Sequence, residues 1–257
     1  MTAEPVFRRR ATLIGHRGLG KGTVLGQAEN TLGSFLAAVE QGLDWVEVDV
    51  RRTADDELFV AHDAALPDGT FLADLTAAQV SRLGGLRVRE LLDALPSGCG
   101  VAFDIKSCLE DADRSPDRTT AALLGRLVRD AGTGRPMVAS SFDPAALLHI
   151  RAQAPRLALG LLTWLHFPIG HAVAAAAHLD VQVLAAHAGS LWPNPSTAPL
   201  DLPSVRHTLE LVHRAHRQLL VWCPTYDQAT SLVDTGVDAL IVDDVPTHLA
   251  PAERCVS

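Results

Sequence analysis

The feature that most constrains this chain is an end-to-end alternation of short β-rich runs with helical stretches. The β-rich runs are Thr12–Gly15, Trp45–Val50, Val101–Ile105, Met137–Ser140, Leu157–Leu162, Val181–Ala185, Leu219–Cys223 and Ala239–Val242. Between them the pattern predicts helices at Thr31–Gln41, Thr119–Ala131, Pro144–Gln153, Ser204–Arg217 and Asp227–Thr235. One of these opens with Asp143 as a cap and Pro144 at the first helical position. Alternating β and α units build a parallel sheet, and eight of them predict an α/β chain closed as a (β/α)8 TIM barrel. The length of 257 residues suits that fold, which typically takes about 250.

No charge run or Pro/Ser-rich linker divides the chain, so a single domain over residues 1–257 is expected. An insertion at about 55–96 lies between strands 2 and 3 and holds a short strand (Leu58–His62), a Gly-containing turn and two small helical pieces. The longest irregular piece, Gly189–Pro203, follows strand six, where a barrel carries an active-site loop; it reads equally as a plain surface loop. The formal net charge of −8 argues against general nucleic-acid binding, yet leaves room for an anionic substrate at a locally positive site. Cys99, Cys108, Cys223 and Cys255 match no zinc spacing and read as free thiols, buried except for Cys255 near the C-terminus. The first residues, MTAEPVFRRRATLIGHRG, lack the apolar core of a signal peptide, and no apolar run is long enough to span a bilayer. A cytoplasmic protein without membrane insertion is expected.

Inside that frame, Trp45-Val46-Glu47-Val48-Asp49-Val50 is the most informative segment. Strand side chains alternate between faces, so the three valines share one face and Trp45, Glu47 and Asp49 the other. The outer face of a barrel packs on helices and takes the valines. The inner face then carries two carboxylates toward the C-terminal mouth. Two like charges side by side are unfavourable without a neutralising cation or base, and a hard divalent cation with oxygen ligands neutralises them well. Val101-Ala102-Phe103-Asp104-Ile105-Lys106 repeats the theme, with Phe103 and Ile105 outward and Asp104 and Lys106 in the lumen. Asp104 reads as a third oxygen ligand and Lys106 as a fixed positive charge beside a bound anion. A purely structural Asp–Lys pair satisfies the same pattern.

His16 ends the first strand and His62 the inserted one. Strand C-terminal ends are where barrel enzymes keep their chemistry. Neutral and charged imidazole are both accessible near pH 7, so two histidines suit an acid–base pair, as phosphodiester hydrolysis uses. Arg17 adds bidentate donors for phosphate oxygens. His187 follows strand six and could line the mouth, whereas His213 and His216, about a helical turn apart, fit a solvated helix face.

These residues, in this order, resemble the glycerophosphodiester phosphodiesterase family. The matching text is His16-Arg17-Gly18, Glu29-Asn30-Thr31, Glu47-Val48-Asp49-Val50, His62-Asp63, Asp74-Leu75-Thr76, Phe103-Asp104-Ile105-Lys106 and Ser141-Phe142. Near the end, Val221-Trp222 and Gly236-Val237-Asp238 with Asp243 complete it. The resemblance implies a (β/α)8 barrel with a small insertion after strand two. It also implies one divalent ion, Mg²⁺ or Ca²⁺, on Glu47, Asp49 and Asp104, with His16 and His62 catalytic. By the same resemblance Arg17 and Lys106 contact phosphate, Glu29 helps order the site, and Trp222 belongs to the substrate side. The implied reaction takes a small glycerophosphodiester and water to glycerol 3-phosphate and an alcohol, through attack of the glycerol 2-hydroxyl on phosphorus and a cyclic phosphate. Three features depart from the family pattern. Asp104 stands where Glu is usual, Cys223-Pro224-Thr225 follows Trp222 in place of Thr-x-Asn, and Leu19–Ala28 lengthens the first loop. Two other activities fit the sequence. One is a lysophospholipase D-like enzyme, which an exposed apolar rim around Leu161–Ile169 would favour. The other is a barrel that binds a phosphodiester or metal without turnover.

Overall fold

The computed structural model describes residues 4–8, 11–107, 109–132, 134–191 and 201–249. Cys108, Cys255 and the middle of the Gly189–Pro203 segment lie outside the described residues. Eight parallel strands close into a barrel: β1 (Thr12–Gly15), β2 (Trp45–Arg52), β3 (Gly100–Ile105), β4 (Met137–Ser141), β5 (Ala158–Thr163), β6 (Val183–His187), β7 (Gln218–Trp222) and β8 (Ala239–Val242). Each pairs with the next in sequence, and β1 closes the ring against both β8 and β2.

The alternation expected of β2 holds. Val46, Val48 and Val50 are fully buried in the layer between strands and helices, along with Phe103 and Ile105 of β3. Trp45 and Ala102 instead join a second cluster inside the barrel with Ile14, Val138, Leu162, Ala185, Leu220 and Ile241. Phe7 plugs the N-terminal end of this lumen, edge-on to Trp45 with ring centroids 5.2 Å apart. Gln218 fastens it there, accepting from the Phe7 N–H at 3.0 Å and donating to its carbonyl at 2.9 Å. The floor is therefore closed, and the carboxylates of the strands are left to the opposite mouth.

Boundaries moved where chain reversals intervene. Strand β6 begins two residues later than the pattern suggested, because the Val181 N–H is taken by Ala176 at the end of helix Ile169–His178. Strand β7 stops at Trp222 because Cys223 turns into a left-handed conformation, φ 53°. Helix Leu202–Arg214 starts earlier than expected, since the Asp201 side chain caps it by accepting from the Ser204 N–H. Helix Pro144–Gln153 has the expected Asp143 cap, which accepts from the Ala145 N–H at 2.8 Å. The insertion pairs Leu58–Val60 antiparallel with the last residues of β2 and covers them with Leu72, Ala77 and Val80 around Phe59. The inserted strand ends at Val60, short of His62, but the Ala61 N–H reaches the Asp49 carbonyl at 3.1 Å. That bond carries His62 over the mouth.

Candidate active site

His16 leaves the end of β1 and at once the chain reverses. Arg17 takes a left-handed conformation (φ 55°), which turns its N–H onto the Glu47 carboxylate at 2.9 Å. Gly18 follows at φ 101°, where any Cβ would lie 2.8–2.9 Å from the backbone of Ser34 and Phe35. Only glycine lets this turn press against helix Leu32–Glu40. The tight packing explains why His-Arg-Gly and the Glu-Asn-Thr segment occur together. Thr31 caps the helix, Asn30 donates to Asp49 at 2.8 Å, and Glu29 holds the Arg17 guanidinium at 2.5 Å.

Glu47 and Asp49 project from β2 into the lumen and Asp104 from β3, all three buried. One carboxylate oxygen of each lies within 4.8 Å of the others. Register explains the convergence, since Asp49 and Asp104 are direct neighbours across the β2–β3 ladder. Lys106 bridges them, with Nζ 2.9 Å from Asp49 and in hydrogen-bond contact with Asp104 Oδ2. Arg17 Nε lies 3.2 Å from the other oxygen of Asp49. Asp104 Oδ1 is buried and has no hydrogen-bond partner. An acceptor left bare in a buried acidic cluster fits an oxygen ligand awaiting a cation. All three donors are hard carboxylate oxygens, the set that Mg²⁺ or Ca²⁺ prefers.

The charges are strongly perturbed. Burial and then the neighbouring Asp49 push the Glu47 carboxyl up to about 8, although His16 pulls the other way. Burial opposes ionisation of Asp49 as well, but Lys106, the Asn30 hydrogen bond and Arg17 hold it below the ordinary range. Asp104 is raised, chiefly by burial. For His16, burial disfavours the cation, yet the Asp243 hydrogen bond, Cys223 and Glu47 reverse this and raise it to about 10. Its Nδ1 lies 2.5 Å from Asp243 Oδ1 and its Nε2 3.8 Å from Glu47. His62 is half exposed and pairs through Nδ1 with Asp63 at 2.8 Å.

His16, Arg17, Glu47, His62, Asp104, Lys106 and Trp222 all line one cavity of about 520 Å³ at the C-terminal end of the barrel. Asp49 lies beneath it, and Glu29 stands behind Arg17. The mouth is divided. Charged groups come from β1–β3, and aromatic ones from the ends of β4, β5 and β7. There Phe142 stacks on Trp164 at 4.2 Å and meets Trp222 edge-on at 5.9 Å. His187 packs edge-on against Trp222 at 4.3 Å. His213 is outside the site, hydrogen-bonded to Asp238. The sequence reading gave no role to Asn30, Asp243 or Cys223, although the position of Asp243 just beyond β8 was a usable signal for the first-strand histidine's neighbour.

Residues 16–247 match the Glycerophosphoryl diester phosphodiesterase family. A glycerophosphodiester phosphodiesterase of Caldanaerobacter subterraneus subsp. tengcongensis is 26% identical over 170 residues, 60% of this chain and 67% of that protein. Three longer eukaryotic relatives are matched over only 8%, 6% and 6% of their lengths. The fold is shared with an Oleispira antarctica phosphodiesterase in complex with the product sn-glycerol-3-phosphate, at TM-score 0.75 and 24% identity, covering 96% of this chain and 98% of that one. It is shared too with the glycerophosphodiester phosphodiesterase of Thermotoga maritima, at TM-score 0.68 and 18% identity, covering 93% and 96%.

Proposed function

The chain belongs to the glycerophosphoryl diester phosphodiesterase family, and from that premise we propose that it cleaves small glycerophosphodiesters to glycerol 3-phosphate and an alcohol with one divalent ion. It is an enzyme of the phosphoric diester hydrolase class. The observation that carries the reading is the convergence of two histidines, two cations and a buried carboxylate triplet on one cavity at the barrel's catalytic end.

Glu47, Asp49 and Asp104 would hold Mg²⁺ or Ca²⁺, which when bound acidifies a substrate hydroxyl and neutralises charge developing on phosphate. Arg17 and Lys106 present donors to the phosphate oxygens from the same side, with Glu29 fixing the guanidinium. His16 is held by Asp243 so that Nε2 faces the cavity. His16 and His62 serve as the acid–base pair. One takes the proton of the glycerol 2-hydroxyl as it attacks phosphorus, and the other protonates the departing alcohol. The roles reverse when water opens the cyclic phosphate. Trp222 walls the substrate side, and its buried Nε1–H has no protein partner and is free to meet a substrate oxygen.

A second reading, lysophospholipid cleavage of the phospholipase D type, is favoured by the rim. Trp164 is 65% and Leu165 53% exposed at the edge of the aromatic half. An acyl chain leaving the cavity would cross them. The test is release of glycerol 3-phosphate from glycerophosphocholine, with and without Mg²⁺ or Ca²⁺, against His16→Ala. Metal-dependent product that vanishes in the variant supports the proposal. No product with any metal, alongside turnover of lysophosphatidylcholine, selects the second reading; inertness toward both leaves a binding barrel.

A further inference from the structure

Two different donor sets meet at His16. On one side, Nε2 faces Glu47 and the all-oxygen triplet. On the other, Nδ1 lies 2.5 Å from Asp243 Oδ1 and 3.8 Å from Cys223 Sγ, and the sulfur is 3.4 Å from the same carboxylate oxygen. These three atoms come from the ends of β1, β7 and β8, neighbouring strands of the closed barrel. Cys223 is held in place by its N–H, which donates to the Ile241 carbonyl at 3.0 Å.

The geometry points to a second metal site, His16–Cys223–Asp243, that takes zinc and switches the enzyme off. Nitrogen, sulfur and carboxylate oxygen form a three-ligand set suited to borderline-soft Zn²⁺ and poorly suited to Mg²⁺ or Ca²⁺. With zinc bonds of about 2.0–2.3 Å, a tetrahedron separates its ligands by about 3–4 Å. The two sulfur distances already fall in that interval. Only the His16–Asp243 pair has to open, exchanging its hydrogen bond for two metal bonds. Asp243 is 39% exposed, so water can reach the fourth position. Cys223 would bind as thiolate, its proton leaving to solvent.

The consequence follows from the two nitrogens of one ring. With Nδ1 on the metal, Nε2 retains its hydrogen and has no lone pair to accept a proton. The ring is then unable to alternate between base and acid. Zinc would arrest turnover without displacing anything from Glu47, Asp49 and Asp104. This inhibitory effect rests on the proposed role of His16; the site itself rests on the donor geometry alone.

The experiment uses the full chain and Cys223→Ser. Zn²⁺ is titrated into the Mg²⁺-supported reaction, and separately Co²⁺ is added without substrate while the near-ultraviolet thiolate-to-cobalt charge-transfer band is recorded. The expected results are a cobalt band in the wild type that is absent from Cys223→Ser, and a zinc sensitivity lowered about tenfold or more in the variant, each protein being measured against its own Mg²⁺-supported rate. Equal zinc sensitivity in both proteins, or a cobalt band that survives in Cys223→Ser, would overturn the assignment. If neither protein turns over any phosphodiester, the cobalt band still decides the metal site, and only the reading of the reaction has failed.

Discussion

Replacing Glu47 by Gln should change how the metal-free protein's stability depends on pH. Folded Glu47 binds its proton more tightly than the unfolded chain does, with pKa about 8 against an ordinary 4.5. Over that interval the folded state holds more protons, so stability falls as pH rises. At about 1.4 kcal/mol for each pH unit, the interval sets a ceiling of about 5 kcal/mol. His16 works in the same direction at higher pH. Its contribution is fully present below 6.5 and is lost as pH climbs through about 10. The window from pH 5 to 6.5 therefore excludes His16; His187, which burial depresses, adds an opposing slope there that the two proteins share. Guanidinium unfolding in EDTA, followed by circular dichroism, should show the wild type losing stability across this window. The variant should show a shallower loss, though not none, because burial raises Asp104 too. A saturating divalent ion should restore the wild type at pH 8, by about 2.7 kcal/mol at a hundred times its Kd. Equal slopes in the two proteins would refute the claim that the buried Glu47 carboxyl, crowded by Asp49, is the source.

Other substitutions test other parts of the site and the fold. His16→Ala and His62→Ala should each slow turnover by about a hundredfold to ten-thousandfold with far-ultraviolet circular dichroism unchanged; wild-type rates would remove that residue from acid–base chemistry. Asp104→Glu should keep metal-dependent turnover, since an added methylene typically costs about 1–3 kcal/mol; isothermal titration showing no metal binding would recast Asp104 as a structural partner of Lys106. Trp164→Ala should raise KM for a lysophospholipid by about two- to tenfold and leave glycerophosphocholine kinetics alone, and an equal effect on both would tie the rim to glycerol instead. Asp111→Ala should destabilise by about 3–5 kcal/mol, because it strands the buried Arg52 guanidinium 2.5 Å away; a thermal midpoint close to wild type would show that water reaches Arg52.

The sequence by itself determined the barrel, because eight β-rich runs separated by helical stretches are legible one segment at a time. Trp45-Val46-Glu47-Val48-Asp49-Val50 states which side chains face helices and which face the lumen without reference to any partner. The same local logic put His16 and Asp104 at the catalytic end. Tertiary structure decided what lies beside what. Asn30 reaches Asp49 only after Arg17 and Gly18 reverse the chain against helix Leu32–Glu40. Lys106 bridges Asp49 and Asp104 because the β2–β3 register sets those two level. Asp243 and Cys223 meet His16 across more than 200 residues of sequence, through closure of β1 onto β8 and of β8 onto β7. Alternation fixes the direction of a side chain along its own strand. Ring closure and register fix its neighbours, and the charge state of this site depends on those neighbours.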